Sequence, residues 1–415
     1  MMRTLVLLLL VATTAHAETL DTSRLVGVIA GVLSWEDTSL TTYSVERRKD
    51  QELHALLVSR GASPERLALI LDAEATTARV RGEIARTAAL AEPGDTFVFY
   101  YAGHGMRQED GRVVFATWDV RSRDALATGL VAQELAELLR DFRGRRVLLW
   151  ADCCHSGALM HVARALAQRG IPAAAITSAD LASASTDNWT FTQTVIDALR
   201  GEAMGDRDGD GTVTLGELGA EVRDAMAGRE RQRAGEALCG VPPGLALARA
   251  RGGRPSGAGA YVEVQTDRGW EAARVVASGQ KPRVQLYRYT DKVDLEVEPA
   301  AMRPRSWKRY PVGAAVDVTW EGKVYEARVK GTDGDFHWIG YPGWSDTWDE
   351  WVLSDRIVGP HQEGRRLDAV EVEWGGRWWP ALVMRKEGES SCIHYVGYDA
   401  SWDECVGPDR VRAAR

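Results

Sequence analysis

The stretch that decides the fold is Val147–Gly157, VLLWADCCHSG, read together with Phe97–Gly105, FVFYYAGHG. Each begins with a short run of aliphatic and aromatic residues, a pattern that predicts a buried β-strand. Each run ends in a polar, glycine-containing group with a reactive side chain, Cys154 in one and His104 in the other. Neighbouring parallel strands end at one edge of a sheet, where α/β proteins bind their ligands. We therefore expect a cysteine and a histidine to meet there, as in a cysteine hydrolase.

The two motifs together resemble the metacaspase branch of the caspase-like cysteine peptidases. YYAGHG is followed by DCCHSG, and Cys154 lies fifty positions after His104. In the metacaspase pattern the nucleophile directly precedes His-Ser-Gly, so the resemblance indicates Cys154 rather than Cys153. The Gln-Ala-Cys box of caspases is absent, and Asp152 stands in place of its Gln. The resemblance covers about residues 23–250 and implies a caspase-like α/β fold, a mostly parallel sheet with helices on both faces.

The chemistry that this resemblance implies is hydrolysis of a peptide bond by a cysteine nucleophile and a histidine base. His104 would accept the thiol proton of Cys154 and later give it to the leaving amine. The backbone N–H groups of Gly105 and Cys154 are the candidate oxyanion donors. Because neighbouring residues at a strand end point to opposite faces, Cys153 is expected to pack beneath the site, and His155 to pack or to hydrogen-bond rather than to catalyse.

Substrate preference follows from charge. Caspases bind a substrate aspartate with arginines, whereas the metacaspase pattern implies an acidic pocket for Arg or Lys. Asp152 matches the floor of that pocket, and Asp50, in RRKDQEL, resembles its second carboxylate, although the family's upstream cysteine is missing here. Asp180 is a third candidate. The alternatives are a strand-end turn for Asp152 and a solvated helix face for Asp50.

Length, charge and the amino terminus restrict the class of protein. A chain of 415 residues is long enough for several domains, and a net charge of −8 with mixed signs does not favour nucleic-acid binding. The first residues have a positive start, an apolar run at Leu5–Ala12 and a small-residue site at Ala15–Ala17. These features predict a signal peptide over residues 1–17 and export to the periplasm or the medium. No later apolar run is long enough for a transmembrane helix.

Strands and helices alternate through the peptidase-like region, which we place at residues 23–248. Residues 106–128 are expected to form an irregular insertion, and Val131–Phe142 a helix. A linker rich in Gly, Pro and Arg follows at 249–259. Its arginines are possible autoprocessing sites for an enzyme that cleaves after Arg: Arg249, Arg251 and Arg254. The alternative is an uncut, flexible linker.

A second motif lies at Asp206–Glu217, DRDGDGTVTLGE, which matches the twelve-residue EF-hand loop. Gly211 stands where that loop turns sharply. The residues with ligand oxygens at the EF-hand positions are Asp206, Asp208, Asp210, Thr212, Thr214 and Glu217. We expect Ca²⁺ to bind here as a structural clip; the alternative is a surface turn rich in Asp and Gly.

Beyond residue 260 the composition changes, and eleven of the fifteen tryptophans lie there. Residues 313–358 and 367–412 repeat each other at an interval of 54, and residues 261–303 form a degenerate earlier copy. Each unit contains enough short alternating strands for a five-stranded SH3-like barrel. The repeats resemble chromo-barrel or Tudor-knot domains, whose relatives bind modified peptide tails or RNA. Their ligand here is unknown, and nucleic acid is possible but not favoured.

Two aromatic groups in these repeats are candidate binding clusters. The first is Tyr325, Trp338, Tyr341 and Trp348, and the second is Trp379, Tyr395, Tyr398 and Trp402. Stacking and cation–π contacts would give such clusters a function, while the alternative is that the rings fill small cores. The functional alternative for the whole chain is a catalytically idle caspase-like platform whose barrels do the binding. Cys392 and Cys405 either form a disulfide or are two small buried apolar residues.

Overall fold

Six strands form the central sheet of a computed structural model, which describes residues 18–180, 188–267, 269–288, 291–304, 308–320, 323–362, 368–396 and 402–414. The strands are β1 (Leu25–Gly31), β2 (Leu67–Leu71), β3 (Thr96–Ala102), β7 (Arg146–Asp152), β8 (Ala173–Thr177) and β10 (Gly235–Cys239). Their order is β10-β8-β7-β3-β1-β2. Strands β1, β2, β3, β7 and β8 pair in parallel, and β10 lies antiparallel to β8 at the edge.

Side chains along each central strand alternate between two cores, one on each face of the sheet. In β3, Phe97, Phe99 and Tyr101 face one core, whereas Val98 and Tyr100 face the other. The helices are α1 (Lys49–Ser59), α2 (Thr77–Ala89), α3 (Ala125–Thr128), α4 (Glu134–Leu138), α5 (Ala158–Gln168), α6 (Thr190–Arg200) and α7 (Leu215–Ala225). Residues of α2, α4 and α5 fill the first core, and those of α1, α6 and α7 fill the second. This arrangement confirms the predicted α/β fold with helices on both faces.

The segment predicted to be irregular, residues 106–128, contains regular structure. Its strands β4 (Gly105–Arg107) and β5 (Val113–Phe115) form a small antiparallel sheet with β6 (Leu130–Val131). The predicted helix over Val131–Phe142 is therefore too long, and α4 begins at Glu134. Residues of β6 adopt a strand conformation because they pair with β5, and β5 is fully buried.

The EF-hand-like loop lies between α6 and α7, as the sequence indicated. Its strand β9 (Thr212–Thr214) pairs with β11 (Ala246–Arg249). Arg249 therefore belongs to a strand, so the predicted linker boundary at 249 is early. The backbone N–H of Arg251 also donates to the Gly201 carbonyl at 2.7 Å. The end of the peptidase-like region is thus held in place through Arg251.

Three five-stranded antiparallel sheets follow, one for each sequence repeat. They comprise β12 (Tyr261–Thr266), β13 (Gly269–Ala277), β14 (Arg283–Arg288), β15 (Asp291–Glu296) and β16 (Met302–Pro304); β17 (Ala315–Trp320), β18 (Lys323–Asp333), β19 (Phe336–Gly340), β20 (Glu350–Val352) and β21 (Ile357–Pro360); and β22 (Asp368–Trp374), β23 (Arg377–Glu387), β24 (Ser390–Tyr395), β25 (Glu404–Val406) and β26 (Val411–Ala413). In each sheet the fourth strand is followed by the third, second, first and fifth. The degenerate first copy keeps this order, and each sheet has its own small core.

Cys392 and Cys405 form a disulfide between paired positions of β24 and β25, which decides the alternative that the sequence left open. No helix among the described residues is both long and apolar enough to cross a membrane. The predicted signal peptide at 1–17 and Tyr398 lie outside the described residues.

Candidate active site

The register of β3 against β7 places the two reactive residues at one edge of the sheet. Ala102 and Asp152 are the last paired residues of these strands. His104 and Cys154 each follow their strand by two residues, so they leave the sheet at the same level. Both are half-buried. The sequence motifs on separate strands are thereby brought to one site.

Gly105 allows the two loops to approach closely. A Cβ atom at this position would overlap the carbonyl oxygen of Cys154 and lie 2.9 Å from its carbonyl carbon. It would also lie 3.2 Å from the Sγ atom of Cys153. Any residue other than glycine would therefore push the His104 loop away from the backbone of Cys154.

Two hydrogen bonds fix the His104 ring and define its tautomer. Nε2 lies 2.7 Å from the carbonyl oxygen of Thr41, and Nδ1 lies 2.7 Å from the hydroxyl oxygen of Tyr43. A carbonyl oxygen can only accept, so Nε2 carries the hydrogen. In the neutral ring Nδ1 is then the basic nitrogen, and it accepts the Tyr43 hydroxyl hydrogen.

Aromatic rings enclose the imidazole. The ring centroid of Trp35 lies 4.4 Å from that of His104, and the Tyr43 centroid lies at 4.7 Å. Burial lowers the pKa of His104, and the hydrogen bond to the Thr41 carbonyl opposes this effect. The ring is therefore held largely neutral near pH 7, which is the form a general base needs. Sequence reasoning missed these three neighbours, because they lie in a polar loop after β1 with no recognisable motif.

The residues next to Cys154 lie on different sides of the site. Cys153 is 1% exposed within the core, as predicted, and burial raises the pKa of its thiol. His155 adopts a left-handed backbone conformation with φ of 54°. This conformation is uncommon for a residue other than glycine. His155 lies on the wall of a surface cavity, so it is not a core residue.

Asp152 is a buried carboxylate that faces α6. It accepts hydrogen bonds from the hydroxyl group of Thr192 at 2.6 Å and from the backbone N–H of Thr192 at 3.2 Å. Burial raises the pKa of Asp152 to about 7, and these hydrogen bonds oppose the rise. Among the described residues, no lysine, arginine or histidine forms an ion pair with Asp152.

Residues 34–163 match the metacaspase, peptidase C14 domain. The match includes both His104 and Cys154, and it supports a cysteine peptidase. No curated protein matches the chain.

Among solved structures, two have limited similarity to this chain. Protein GSU0716 from Geobacter sulfurreducens is 17% identical, with a TM-score of 0.37 over 52% of this chain and 92% of its own. The Drosophila initiator caspase Dronc is 10% identical, with a TM-score of 0.36 over 55% of this chain and 86% of its own.

The other two carboxylates predicted for the substrate pocket are already paired within the chain. Asp50 is fully buried and accepts from Arg48 Nη2 at 2.7 Å. Asp180 is 3% exposed and lies 3.3 Å from Arg233 Nη1. This burial excludes the alternative of a solvated helix face for Asp50. Of the three carboxylates, Asp152 is the one with unbalanced charge.

The EF-hand-like loop has the donor set and the shape for a hard cation. Ligand oxygens of Asp206, Asp208 and Asp210 lie within 4.8 Å of one another. Gly211 has φ of 88°, the left-handed conformation that a sharp turn requires. Glu217 currently caps α7, where it accepts from the backbone N–H of Thr214 at 2.9 Å. The other oxygen of Glu217 accepts from the backbone N–H of Arg207 at 2.6 Å. These residues fit Ca²⁺, and Glu217 would have to exchange its hydrogen bonds for bidentate coordination.

The first predicted aromatic cluster differs in membership from the prediction. Tyr325, Tyr341 and Trp348 lie together, but Trp338 packs instead on Trp351, with ring centroids 5.4 Å apart. Trp320 and Trp344 complete the group. In the second predicted cluster, Tyr395 is 6% exposed and Trp379 and Trp402 pack on the same core.

Proposed function

We propose that this chain is an exported cysteine endopeptidase that cleaves after Arg or Lys. The observation that carries the proposal is that His104 and Cys154 follow the ends of the paired strands β3 and β7 at the same distance, so both lie at one edge of the sheet. The metacaspase domain match over the same residues supports it. Its substrate would be a protein or peptide.

The reaction begins when Nδ1 of His104 accepts the proton of the Cys154 thiol. For this step the Tyr43 hydroxyl group must leave Nδ1. The thiolate attacks the substrate carbonyl carbon and forms a tetrahedral oxyanion, for which the N–H groups of Gly105 and Cys154 are the proposed donors. The C–N bond then breaks, and the leaving amine takes the proton from Nδ1. Water, deprotonated at Nδ1, hydrolyses the remaining thioester and restores the thiol.

Preference for a basic residue rests on Asp152. An ionised carboxylate without a cationic partner attracts a guanidinium or ammonium group strongly in a buried site. Asp50 and Asp180 have arginine partners, so they contribute less to such a pocket. A role for them in binding substrate requires Arg48 or Arg233 to move.

The test is hydrolysis of fluorogenic peptides that end in Arg, Lys or Asp. We expect cleavage after Arg and Lys, loss of activity in Cys154→Ala, and retained activity in the matched control Cys239→Ala. Cys239 is a partly buried cysteine outside any disulfide and remote from the site. Cleavage only after Asp would refute the pocket assignment. A folded protein that cleaves none of the peptides would instead favour the idle platform with binding barrels.

Calcium binding is proposed as a structural clip at Asp206–Glu217. The donor set supports it, and Ca²⁺ would tie the loop between α6 and α7. Calorimetry with CaCl₂ on wild type and on Asp208→Asn tests the proposal. We expect wild type to release heat and gain thermal stability, and the variant to lose both. Equal behaviour of the two proteins would exclude this loop.

Autoprocessing is proposed at Arg254 or Arg251. Arg251 is exposed, and Arg254 is half-buried with its guanidinium on the Ala258 carbonyl at 3.2 Å. Intact mass of purified wild type beside Cys154→Ala decides the matter. Cleavage after either arginine would appear in wild type alone, and identical masses would exclude it. The same spectra would show whether residues 1–17 are removed on export.

The three C-terminal sheets are proposed to be SH3-like barrels of the chromo-barrel or Tudor-knot type. Their common strand order and separate small cores support this assignment. In two of them the same triad recurs at the repeat interval. Tyr341 and Arg356 bind Glu350, and their counterparts 54 residues later bind Glu404 in the same way.

A further inference from the structure

A cavity of about 660 Å³ lies between the metacaspase domain and the second C-terminal sheet. The peptidase side contributes Arg107, from the strand that follows His104, and His155, the neighbour of Cys154. The other side consists of what we name the aromatic cluster: Trp320, Tyr325, Tyr341, Trp344 and Trp348. The cavity is therefore adjacent to the candidate nucleophile.

The rings of the aromatic cluster stand nearly at right angles to one another. Trp344 lies 5.5 Å from Trp348 at 79°, and Tyr325 lies 6.1 Å from Trp344 at 89°. Trp320 lies 5.8 Å from Trp348 at 65°. Trp344 is 50% exposed, Trp348 47% and Trp320 39%, so these rings do not fill the core of the sheet. Such walls offer several ring faces to one small group, which suits a cation.

Ring faces elsewhere in these repeats already bind cations of the chain itself. The guanidinium carbon of Arg303 lies 4.1 Å from the Trp402 ring centroid and 4.4 Å from that of Trp270. Trp402 is the counterpart of Trp348 one repeat later. Arg412 lies 4.1 Å from the Trp378 centroid in the same manner. An arginine side chain is thus a suitable occupant for this type of ring surface.

Two of the carboxylates at the cavity, Asp349 and Glu350, are balanced by cations of the same sheet, and Glu109 of the peptidase side also lines the cavity. Asp349 pairs with Lys330 at 2.6 Å, and Glu350 pairs with Arg356 at 2.6 Å. On the sheet side, attraction for a cation therefore comes mainly from the ring faces. Ring faces bind a weakly hydrated guanidinium or alkylammonium group better than a metal ion, which needs oxygen ligands.

Specific contacts hold the second sheet against the peptidase. Arg233 joins Asp180 of the metacaspase side to Asp333 of the sheet, and its guanidinium lies 4.6 Å from the Trp351 centroid. Arg231 also pairs with Asp355 at 3.0 Å. The aromatic cluster is thus fixed in position beside the site rather than carried on a loose domain.

From this geometry we propose that the aromatic cluster binds a second basic side chain of the substrate. The residue is an arginine or a lysine, methylated or not, at a position other than the one that is cleaved. Its guanidinium or alkylammonium group lies among Trp320, Trp344 and Trp348 while the scissile bond lies at Cys154. This inference rests on the proposed peptidase function and adds a requirement for two basic residues in the substrate.

The test uses peptides with one constant cleavable arginine and a second arginine, lysine or trimethyl-lysine at successive positions on either side. In the matched control peptides citrulline, the neutral isostere of arginine, stands at the position of the second cation. The readout is the ratio of kcat/KM for each charged peptide to that for its citrulline partner. We expect a ratio of about tenfold at one position, since cation–π contacts with half-exposed rings lie between the exposed and the fully desolvated cases. The cation that gives the largest ratio identifies the preferred ligand.

Trp320→Ala should lower this ratio to about one, and Trp344→Ala should do the same. Trp374→Ala is the control, because Trp374 occupies the repeat position of Trp320 and is 37% exposed, but it lies outside the cavity. It should keep the wild-type ratio. The ratio is measured within one preparation, so partial misfolding cancels. An unchanged ratio in Trp320→Ala and Trp344→Ala, or an equal loss in Trp374→Ala, would overturn the proposal.

A binding measurement separates failure of this proposal from failure of the peptidase function. Cys154→Ala is titrated with the arginine and citrulline peptides, and tryptophan fluorescence reports binding. If wild type cleaves nothing, tighter binding of the arginine peptide that depends on Trp320 would still support the aromatic cluster. Equal affinity for both peptides would refute it. Binding of single-stranded RNA through Trp320, without binding of the arginine peptide, would also refute it.

Discussion

Replacing Asp152 by asparagine should stabilise the protein at alkaline pH while it removes activity toward arginine substrates. The folded carboxyl group has a pKa of about 7, because burial penalises its charge. An unfolded aspartate has a pKa near 3.8. Folding therefore binds a proton at this residue between about pH 4 and 7, and asparagine keeps the size of the side chain without the charge.

The magnitude follows from the two pKa values. A rise of about 3 units, at 1.36 kcal/mol per unit, corresponds to about 4 kcal/mol. The folded-state pKa is raised, so the contribution of Asp152 is unaffected below about pH 4 and becomes progressively unfavourable up to about pH 7. Asp152→Asn should therefore gain up to about 4 kcal/mol over wild type at pH 8.5 and little at pH 4.

The assay is urea unfolding across this pH range, with both proteins in a Cys154→Ala background to prevent self-cleavage. Asp50→Asn is the control, because Asp50 is a buried partner of Arg48. That variant should instead lose about 3–5 kcal/mol. In the active background, kcat/KM for an Arg peptide should rise through about pH 7 in wild type, as Asp152 ionises. An Asp152→Asn variant no more stable than wild type at pH 8.5 would contradict the reasoning.

Three further changes test the contacts around the site. Tyr43→Phe removes a hydrogen bond that stabilises neutral His104, so the acid limb of the pH profile of kcat/KM should shift to higher pH. Above that limb, kcat/KM should rise about fivefold, because the hydroxyl group no longer has to leave Nδ1. A loss of activity would mean instead that Tyr43 positions the ring. Gly105→Ala should lower kcat/KM about a hundredfold by displacing the His104 loop from Cys154, with Gly82→Ala, at an open helical position, as the active control. Reduction of the disulfide in the third C-terminal sheet should destabilise that sheet by about 3 kcal/mol, measured as faster hydrogen exchange there and not in the second sheet.

The repeats show what a sequence pattern can predict about a structure and what it cannot. The sequence Trp-Asp-Glu recurs at 348–350 and 402–404, and its members have different roles in the structure. Glu350 is held by Tyr341 and Arg356, whereas Trp348 is half exposed at a cavity. A sequence repeat indicates which positions are structurally equivalent, but it does not predict which of them are buried and which face a ligand. Contacts with the peptidase-like region distinguish Trp348 from its counterpart Trp402.

The sequence by itself determined the α/β fold, the two strands that carry His104 and Cys154, and the position of Cys153 in the core. These features depend on local hydrophobic runs and on the alternation of side chains along a strand, both of which are written in adjacent residues. Parallel pairing then brings the strand ends together without further information.

Only the tertiary structure decided which carboxylate lacks a cationic partner, what holds the imidazole and where the aromatic cluster lies. Asp50 is neutralised by Arg48, and His104 is fixed by Thr41 and Tyr43. These contacts join a polar loop to the sheet edge, and the cavity beside Cys154 joins residues more than 150 positions apart. Such pairings depend on how whole elements pack, so no local pattern encodes them.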